Sequence, residues 1–274
     1  MARVHHLGCG TMCPIGGRLV GADRWLGRGR LVCHCLLVET DRDGLVLVET
    51  GFGTADCDDP GRLPRAFRVF ASPRLDRTET ALEQVRALGF APEDVRNVVV
   101  THLDPDHAGG LPDFPWATVH VHRFERDAAI APRDAKARAR YWKNRFAHGP
   151  RWAVYEPAGD TWMDLPAVTK LDGLHHDVAL IPMIGHTRGH SAVAVRTGAR
   201  WVVHAGDAYF HRDELDGAGA PIALRWFASL DEIDRGARLA SVDALKRLRA
   251  RPDVDVVCAH DPVELDRAAT AAAP

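Results

Sequence analysis

The segment from Thr101 to Gly110, THLDPDHAGG, places two histidines and two aspartates within six residues. Carboxylates this close repel one another at neutral pH, and one or two divalent cations would reverse that repulsion. Imidazole and carboxylate groups together bind Zn, Fe, Mn or Co, and a pair of such metals makes hydroxide from water at neutral pH. The segment therefore predicts a metal site that performs chemistry.

Three further segments share one order, an apolar strand followed by a polar turn that contains small residues. They are IGHTRGHS at 184–191, VHAGDAY at 203–209 and VCAHD at 257–261. Small residues let the backbone bend, so side chains far apart in sequence can converge at one edge of a sheet. We expect these turns to contribute ligands to the same site.

The order of these segments resembles the metallo-β-lactamase superfamily, whose strand-end signature is His-x-His-x-Asp-His. VETGFG at 48–53 is similar to the family's first motif, with Glu49 in place of the usual Asp, and GHTRGHS at 185–191 is similar to Gly-His-Thr-Pro-Gly-His-Ser. The similarity covers about residues 3–262 and looks closest to the N-acyl homoserine lactonase branch. It implies an α/β (α+β) fold, a four-layer αββα sandwich of two mixed β-sheets flanked by helices.

The resemblance also implies two divalent metal ions and the residues that hold them. One metal would be held by His102, Asp104 and His190, the other by Asp106, His107 and His260, with Asp207 as the bridge. The implied reaction is hydrolysis, in which a metal-bound hydroxide attacks an ester, lactone, thioester or amide carbonyl. Asp106 is the candidate for handling a proton, and Tyr209 is the candidate hydrogen-bond donor to the substrate carbonyl or leaving group.

Asp104 departs from the family pattern, which has histidine at this position. A carboxylate hardens the first site, so iron or manganese stands beside zinc as the metal. The flavodiiron oxidoreductases have Glu there, which keeps a di-iron oxidoreductase or dioxygenase as an alternative function. A metal-binding protein without catalysis is a third interpretation.

Other histidines and cysteines have less specific patterns. His186 and His204 are expected to orient ligands or to pack. Cys33-His34-Cys35, with Cys9 and Cys13, contains the ligand types of a zinc clip. Alternate cysteines in an apolar strand favour small buried side chains instead. The role of these cysteines stays open at the level of sequence.

The composition indicates a globular chain large enough to fold without a metal. It has 274 residues, of which 46% are hydrophobic and 26% charged;. We expect a single domain over 1–267 and a disordered alanine-rich tail at 268–274. A helical, aromatic cap is predicted at 132–170, where the aromatic residues from Tyr141 to Trp162 would cover an acyl chain, pack in the core or form a dimer interface.

The elements that must position the site can be read in outline. Apolar runs at 31–38 and 45–49, joined by a turn that contains Asp-Gly, predict a β-hairpin;. A capping box at Ser229-x-x-Glu232 predicts a helix that continues to about Leu248;. Strands come in groups with helices interspersed, which favours mixed sheets covered by helices.

Charge and hydropathy exclude several kinds of partner. Lys and Arg number 35 against 37 Asp and Glu, without a basic block, so we expect no nucleic acid;. No apolar run reaches the roughly 18 residues of a membrane-spanning helix, and the amino terminus lacks an apolar signal core. We expect a cytoplasmic protein with reduced cysteines and no membrane partner, acting on a small-molecule ester, lactone or thioester. A homodimer is the candidate assembly, and the sequence leaves the oligomeric state open.

Overall fold

Strands and short helices alternate along the computed structural model, which describes residues 2–22, 25–141, 143–156 and 160–271. The strands are β1 (Arg3–Met12), β2 (Leu31–Glu39), β3 (Leu45–Val48), β4 (Val95–Val99), β5 (Thr118–His122), β6 (Arg151–Tyr155), β7 (Thr161–Trp162), β8 (Leu165–Pro166), β9 (Val178–Pro182), β10 (Ser191–Thr197), β11 (Arg200–His204) and β12 (Val254–Val257). The α-helices are α1 (Thr54–Asp58), α2 (Arg65–Ala71), α3 (Ala81–Ala87), α4 (Pro105–Ala108), α5 (Arg123–Ile130), α6 (Ala135–Arg140), α7 (Asp213–Asp216), α8 (Ile222–Asp231), α9 (Arg235–Arg249) and α10 (Pro262–Ala271). Within these residues, every helix is too short or too polar to cross a membrane.

Two mixed sheets organise the described part of the chain. One has six strands in the order β1-β2-β3-β4-β5-β6, and the other has four in the order β12-β11-β10-β9. The first sheet is antiparallel through β3 and parallel from β3 to β6. The second is antiparallel except for the parallel pair β11 and β12. The predicted mixed sheets are confirmed.

The alternation of side chains along the strands builds the layers. In β2, Leu36 and Val38 enter an apolar layer that also contains Val193 of β10, so this layer lies between the sheets. Leu37 faces the other way and packs in a cluster with residues of α3, and Ala194 does the same toward α9. A period of two residues therefore gives each sheet an inner and a helix-covered outer face. The predicted four-layer αββα sandwich is confirmed.

The local predictions for the hairpin and for the long helix had different outcomes. β2 and β3 pair antiparallel, as the Asp-Gly turn predicted. The helix predicted to begin at Ser229 is two helices, because α8 ends at Asp231 and α9 begins after Asp234. The Asp234 carboxylate accepts the Ala237 N–H at 2.9 Å, whereas the Ser229 hydroxyl donates to the Trp226 carbonyl inside α8. Asp234 therefore caps α9, and the Ser229 hydroxyl caps no helix of the described chain;.

Three aromatic side chains of the segment 132–170 pack in the core, which is one of the roles predicted for them. Tyr141 packs in the core on the helix side of the six-stranded sheet, Tyr155 lies in the layer between the sheets, and Trp162 packs on the outer face of the second sheet. These rings are core because the segment supplies β6, an edge strand, and the β7–β8 ribbon. Trp142 lies outside the described residues.

The carboxyl-terminal segment is helical where disorder was expected. α10 extends through Ala271, so residues 268–271 continue the helix, and 272–274 lie outside the described part of the chain. Leu265 of α10 is buried, and a Cβ on Gly8 of β1 would lie 3.1 Å from its Cδ2. This close packing on β1 holds the helix, and the alanine-rich composition extends it.

Candidate metal centre

Four loops bring the candidate ligands together at one edge of the sandwich. Each loop follows a strand whose apolar side chains are buried in the layers described above. The residues are His102, Asp104, Asp106 and His107 after β4, His186 and His190 between β9 and β10, Asp207 after β11, and His260 after β12. All eight side chains are buried. The edge is therefore a concentrated set of imidazole and carboxylate groups shielded from bulk water.

The Asp207 carboxylate lies at the centre of this set. Its Oδ2 lies 4.0 Å from His102 Nε2 and 3.6 Å from His186 Nε2. Its Oδ1 lies 3.3 Å from His107 Nε2 and 3.1 Å from His260 Nε2. Four groups of three residues have potential ligand atoms within 4.8 Å of one another among the described residues, and two of them, which we call the triads, are His102, His186 and Asp207, and Asp106, His107 and His260. The other two are Glu49, His102 and His107, and Asp104, His186 and Asp231. The Asp207 carboxylate therefore lies between two sets of potential metal ligands.

Several of these atoms are buried without a hydrogen-bond partner. Among the described residues, these include Nε2 of His102 and His107, Oδ1 of Asp104 and Oδ1 of Asp207. A buried polar atom left unpaired costs roughly 1–3 kcal/mol. Each of the four is a ligand atom of the kind that divalent cations bind, and a cation would satisfy them together. The residues present therefore fit a metal centre.

The histidines of the second triad, His107 and His260, are each oriented by a hydrogen bond at Nδ1. His107 Nδ1 lies 2.5 Å from Glu49 Oε2, and the other Glu49 oxygen accepts the Thr101 N–H. His260 Nδ1 donates to the Val32 carbonyl at 2.7 Å. Such bonds leave Nε2 as the ligand atom and fix the direction of the ring. The sequence showed Glu49 only as part of a family motif, and its contact with His107 depends on the tertiary structure.

His190 is not placed as a ligand. Its Nδ1 donates to the Met183 carbonyl at 2.8 Å, and its Nε2 accepts the Asp207 N–H at 2.9 Å. Burial lowers the pKa of His190 to about 3, so the ring is neutral and both nitrogens are occupied. The geometry does not support His190 as a metal ligand, and His186, four residues earlier, lies in the triad instead. His190 holds the backbone of Asp207.

Asp104 is paired with an arginine that the sequence did not identify. Its Oδ2 lies 3.1 Å from Arg140 Nη1, 3.2 Å from His186 Nε2 and 3.4 Å from His102 Nε2. Arg140 Nη2 also lies 2.5 Å from Asp231 Oδ1. Burial opposes ionisation of Asp104, but the charge of Arg140 holds its pKa well below the usual value. The carboxylate that replaces the family's histidine is therefore ionised and lies beside a buried guanidinium that it shares with Asp231.

Tyr209 does not reach the cluster. It is fully buried in the layer under α9, and its hydroxyl donates to Glu264 Oε2 at 3.0 Å. The neighbouring residue, Phe210, faces the opposite way and stacks on the His260 ring with centroids 5.6 Å apart. The turn after β11 therefore sends the tyrosine into the core and a phenylalanine to the site, which corrects the prediction of a tyrosine donor.

The cysteines form no zinc clip. Cys9, Cys33 and Cys35 are buried, and Cys13 is half-buried. The groups of potential metal ligands in the part of the chain that the structure describes contain no cysteine. These thiols are small core side chains, as alternation in an apolar strand favours.

A cleft of about 460 Å³ opens from the metal cluster to the surface. Asp104, Asp106, Asp207 and His260 line its inner end. Its walls are mostly apolar and come from loop residues 14–20, α2, α6 and α8; they include Met12, Val20, Phe67, Phe70, Phe210, Leu224, Trp226 and Phe227. The cleft fits a small molecule with an apolar part next to a reactive polar group.

Comparison with known proteins decides the family. A model of the metallo-β-lactamase superfamily matches residues 28–260, which is most of the chain. The chain belongs to this superfamily. The match includes every residue of both triads, and it confirms the family that the strand-end motifs predicted.

The relatives of this metallo-β-lactamase superfamily member are hydrolases. The probable metallo-hydrolase Rv2300c of Mycobacterium tuberculosis is 44% identical over 263 residues, which cover 95% of this chain and 80% of the relative. The N-acyl homoserine lactonase AttM of Agrobacterium fabrum is 31% identical over 192 residues, covering 69% and 67%. A solved N-acyl homoserine lactone hydrolase, with N-hexanoyl-L-homoserine bound at its catalytic metal centre, is 20% identical, covers 97% of this chain and 95% of its own, and superposes with a TM-score of 0.71. The protein is a metal-dependent hydrolase, and the comparisons give no support to an oxidoreductase.

Proposed function

We propose that the protein is a dinuclear metallohydrolase that cleaves a small ester or lactone. The observation that carries the proposal is Asp207, whose two oxygens face two separate donor sets. We assign His102, Asp104 and His186 to one metal and Asp106, His107 and His260 to the other, with Asp207 between them. When bound, the two cations supply an activated water and a Lewis acid for the substrate carbonyl.

The residues around the cations divide the remaining work. Asp106 lines the inner end of the cleft, where its carboxylate is placed to pass a proton to the leaving oxygen;. Phe210 covers one face of the His260 ring and keeps water from that side of the cluster;. Glu49 holds His107 in one orientation;.

The pairing of Asp104 with Arg140 bears on the choice of metal. The Arg140 guanidinium lies 3.1 Å from the Asp104 carboxylate and 2.5 Å from that of Asp231, so one positive charge is shared between two carboxylates. Arg140 therefore offsets part of the negative charge that Asp104 adds to the first site, which supports zinc there. The oxygen donor itself keeps iron and manganese as alternatives.

The shape of the cleft supports a substrate with an apolar acyl group. Its inner end holds the carboxylates and His260, and its walls are apolar, so an ester or lactone carbonyl can reach the metals while its acyl group contacts Phe67 and Leu224. The names of the lactonase relatives agree with a lactone as the first choice. Other esters and thioesters share the same carbonyl chemistry.

Metal analysis joined to a substrate panel tests this function. Wild-type protein reconstituted with zinc should hold two equivalents and hydrolyse a member of a panel of lactones, esters and thioesters. Asp207→Ala should lose both properties while keeping its circular dichroism spectrum. Asp243→Ala, an exposed carboxylate on α9 paired with Lys246, is the matched control and should keep both. Two metals and full activity in Asp207→Ala would contradict the bridging role.

A further inference from the structure

The mouth of the cleft is surrounded by exposed large apolar side chains. They lie on three segments, which we call the rim: residues 14–22 with 25–28, α2, and α8. The exposed side chains are Ile15, Leu19, Trp25 and Leu26 in the first, Val69 and Phe70 in α2, and Ile222, Trp226, Phe227 and Leu230 in α8. Soluble proteins rarely expose so many apolar groups together, and such a patch marks an interaction site.

Helix α8 is apolar on both of its faces. Leu224 and Ala228 are buried against the protein. Ile222, Trp226 and Leu230 are four residues apart and therefore share one face, and Trp226 is 61% exposed;. The inner face of α8 packs against the core. The outer stripe of apolar side chains is exposed to solvent and contributes nothing to that packing. The helix has the pattern of one that covers a core and also inserts into a second apolar phase.

Helix α2 repeats this arrangement across the mouth. Phe67 packs against a small core cluster, whereas Phe70 is 66% exposed. Phe70 and Trp226 both line the cleft, so the exposed stripes of α2 and α8 border the same opening. Any apolar phase that covers the rim also covers the entrance to the site.

The charges on the rim are positive. Arg65, Arg68 and Arg225 are exposed, and none of them forms an ion pair with the residues described. α2 contains no acidic residue, and the acidic residue of α8, Asp231, is paired with Arg140 inside the cleft. The outer surface of both helices therefore combines aromatic and aliphatic groups with free guanidinium groups.

We propose that the rim binds an anionic lipid surface, with the mouth of the cleft against the headgroups. Aromatic and aliphatic side chains enter the region between headgroups and acyl chains, and arginines attract anionic headgroups. A second copy packed face to face would bring the same arginines together, which disfavours a homodimer at this face. A lipophilic ester or lactone could then enter the cleft from the lipid; this last step rests on the proposed function, and the binding does not.

Vesicle binding by the full-length, zinc-loaded protein tests the proposal. The protein should cosediment with vesicles of equal parts phosphatidylcholine and phosphatidylglycerol, should bind phosphatidylcholine alone weakly, and should dissociate as salt rises. The triple variant Arg65→Gln, Arg68→Gln, Arg225→Gln should bind the mixed vesicles about a hundredfold more weakly, at about fivefold for each arginine. Its hydrolysis of a water-soluble substrate should not change, because none of the three lines the cleft.

A matched triple variant on the opposite edge of the first sheet provides the control. The control replaces three exposed arginines with Gln: Arg42 in the turn before β3, Arg96 in β4 and Arg151 at the start of β6. These replacements remove the same charge as the three replacements at the rim. This variant should bind the mixed vesicles as the wild type does. A second rim variant, Phe70→Ser with Trp226→Ser, should lose binding without a change of charge.

Three results would overturn the proposal. The first is wild-type protein that stays in the supernatant with mixed vesicles, and the second is equal weakening by the two arginine triples. The third is a dimer in light scattering that Phe70→Ser with Trp226→Ser converts to monomer without any vesicle binding, which would assign the rim to a second copy. Vesicle binding without hydrolysis of any panel substrate would support the rim and count against the proposed function alone.

Discussion

The two histidines of the loop between β9 and β10 should respond to replacement in opposite ways. His186→Ala removes a ring whose Nε2 lies 3.2 Å from Asp104 Oδ2 and 3.6 Å from Asp207 Oδ2, and whose Nδ1 has no hydrogen-bond partner within the described chain. We expect this variant to fold normally without metal and to bind one zinc instead of two. His190→Ala should keep both zinc ions and lose stability.

The size of the stability loss follows from the contacts of His190. The ring makes two buried hydrogen bonds, to the Met183 carbonyl and from the Asp207 N–H. Leaving each backbone group unpaired costs roughly 1–3 kcal/mol, so the free energy of unfolding should fall by roughly 2–6 kcal/mol in His190→Ala. His190→Asn can still donate to Met183 through its amide and should lose about half as much.

Urea denaturation in the presence of a chelator measures the free energy of unfolding, and metal analysis after reconstitution measures the number of bound zinc ions. The chelator matters because bound zinc would stabilise the folded state by mass action and hide the difference. The reasoning is refuted if His190→Ala unfolds like the wild type while missing one zinc, or if His186→Ala retains two. Either result would return the ligand role to His190.

Three further predictions concern groups around the site and in the sheet. Arg140→Gln leaves the Asp104 carboxylate unpaired, so the metal-free protein should lose about 3 kcal/mol of unfolding free energy and recover it on zinc binding, measured by denaturation with and without zinc; restored stability without zinc would contradict this. Tyr209→Phe removes only the hydroxyl bonded to Glu264, so it should lower stability by about 1 kcal/mol and leave kcat/KM within about twofold of the wild type;. Burial lowers the pKa of His120 from 6.5 to about 4, so its unfolded form binds a proton that the folded form does not. Stability is then full above pH 6.5 and falls with decreasing pH by about 1.4 kcal/mol per unit down to about pH 4, and denaturation profiles of His120→Gln should lack that slope;. A slope equal in both proteins would show that His120 is protonated in the folded state.

The positions of the ligand loops could be predicted because the strands dictate them. Runs such as that before His102 are apolar on both faces, which is typical of strands buried in a layered sheet;. A strand of this kind ends where the polar residues begin, so the histidines and aspartates must lie at its end. The order of four such ends along the chain resembles that of the metallo-β-lactamase superfamily, and this resemblance implied both the sandwich and the metal edge.

The choice between adjacent candidates could not be predicted in the same way. His186 and His190 are of the same type, and only the contacts of the folded loop decide which ring faces Asp207 Oδ2 and which holds its backbone. Tyr209 and Phe210 are adjacent in sequence, but the first side chain packs in the core and the second lines the cleft. Such decisions depend on tertiary hydrogen bonds and on the path of a turn, which the pattern of residue types does not contain.

The composition also could not predict the apolar and basic surface around the cleft. A net charge of −2 and a chain without long apolar runs predict no membrane partner. The same counts are compatible with Trp226, Phe70 and three free arginines gathered around one opening, because composition does not record which residues share a face. The packing of α8 shows which of its apolar side chains are buried in the core and which are exposed, and the exposed apolar stripe is what indicates a helix that binds an interface;.

Asp104 shows how a distant residue can change the meaning of a substitution at a metal site. Taken alone, a carboxylate in place of histidine adds a negative charge and favours a harder metal. Arg140, in a helix that begins 31 positions later in the chain at Ala135, offsets part of that charge and also pairs with Asp231. The pair should therefore be interdependent: Asp104→His should cost more unfolding free energy when Arg140 is present than in the Arg140→Gln background, because the buried guanidinium beside three histidines would keep Asp231 but lose Asp104 as a carboxylate partner;. Metal content and unfolding free energy of both single variants and the double variant measure this coupling, and additive effects would show that the two positions are independent.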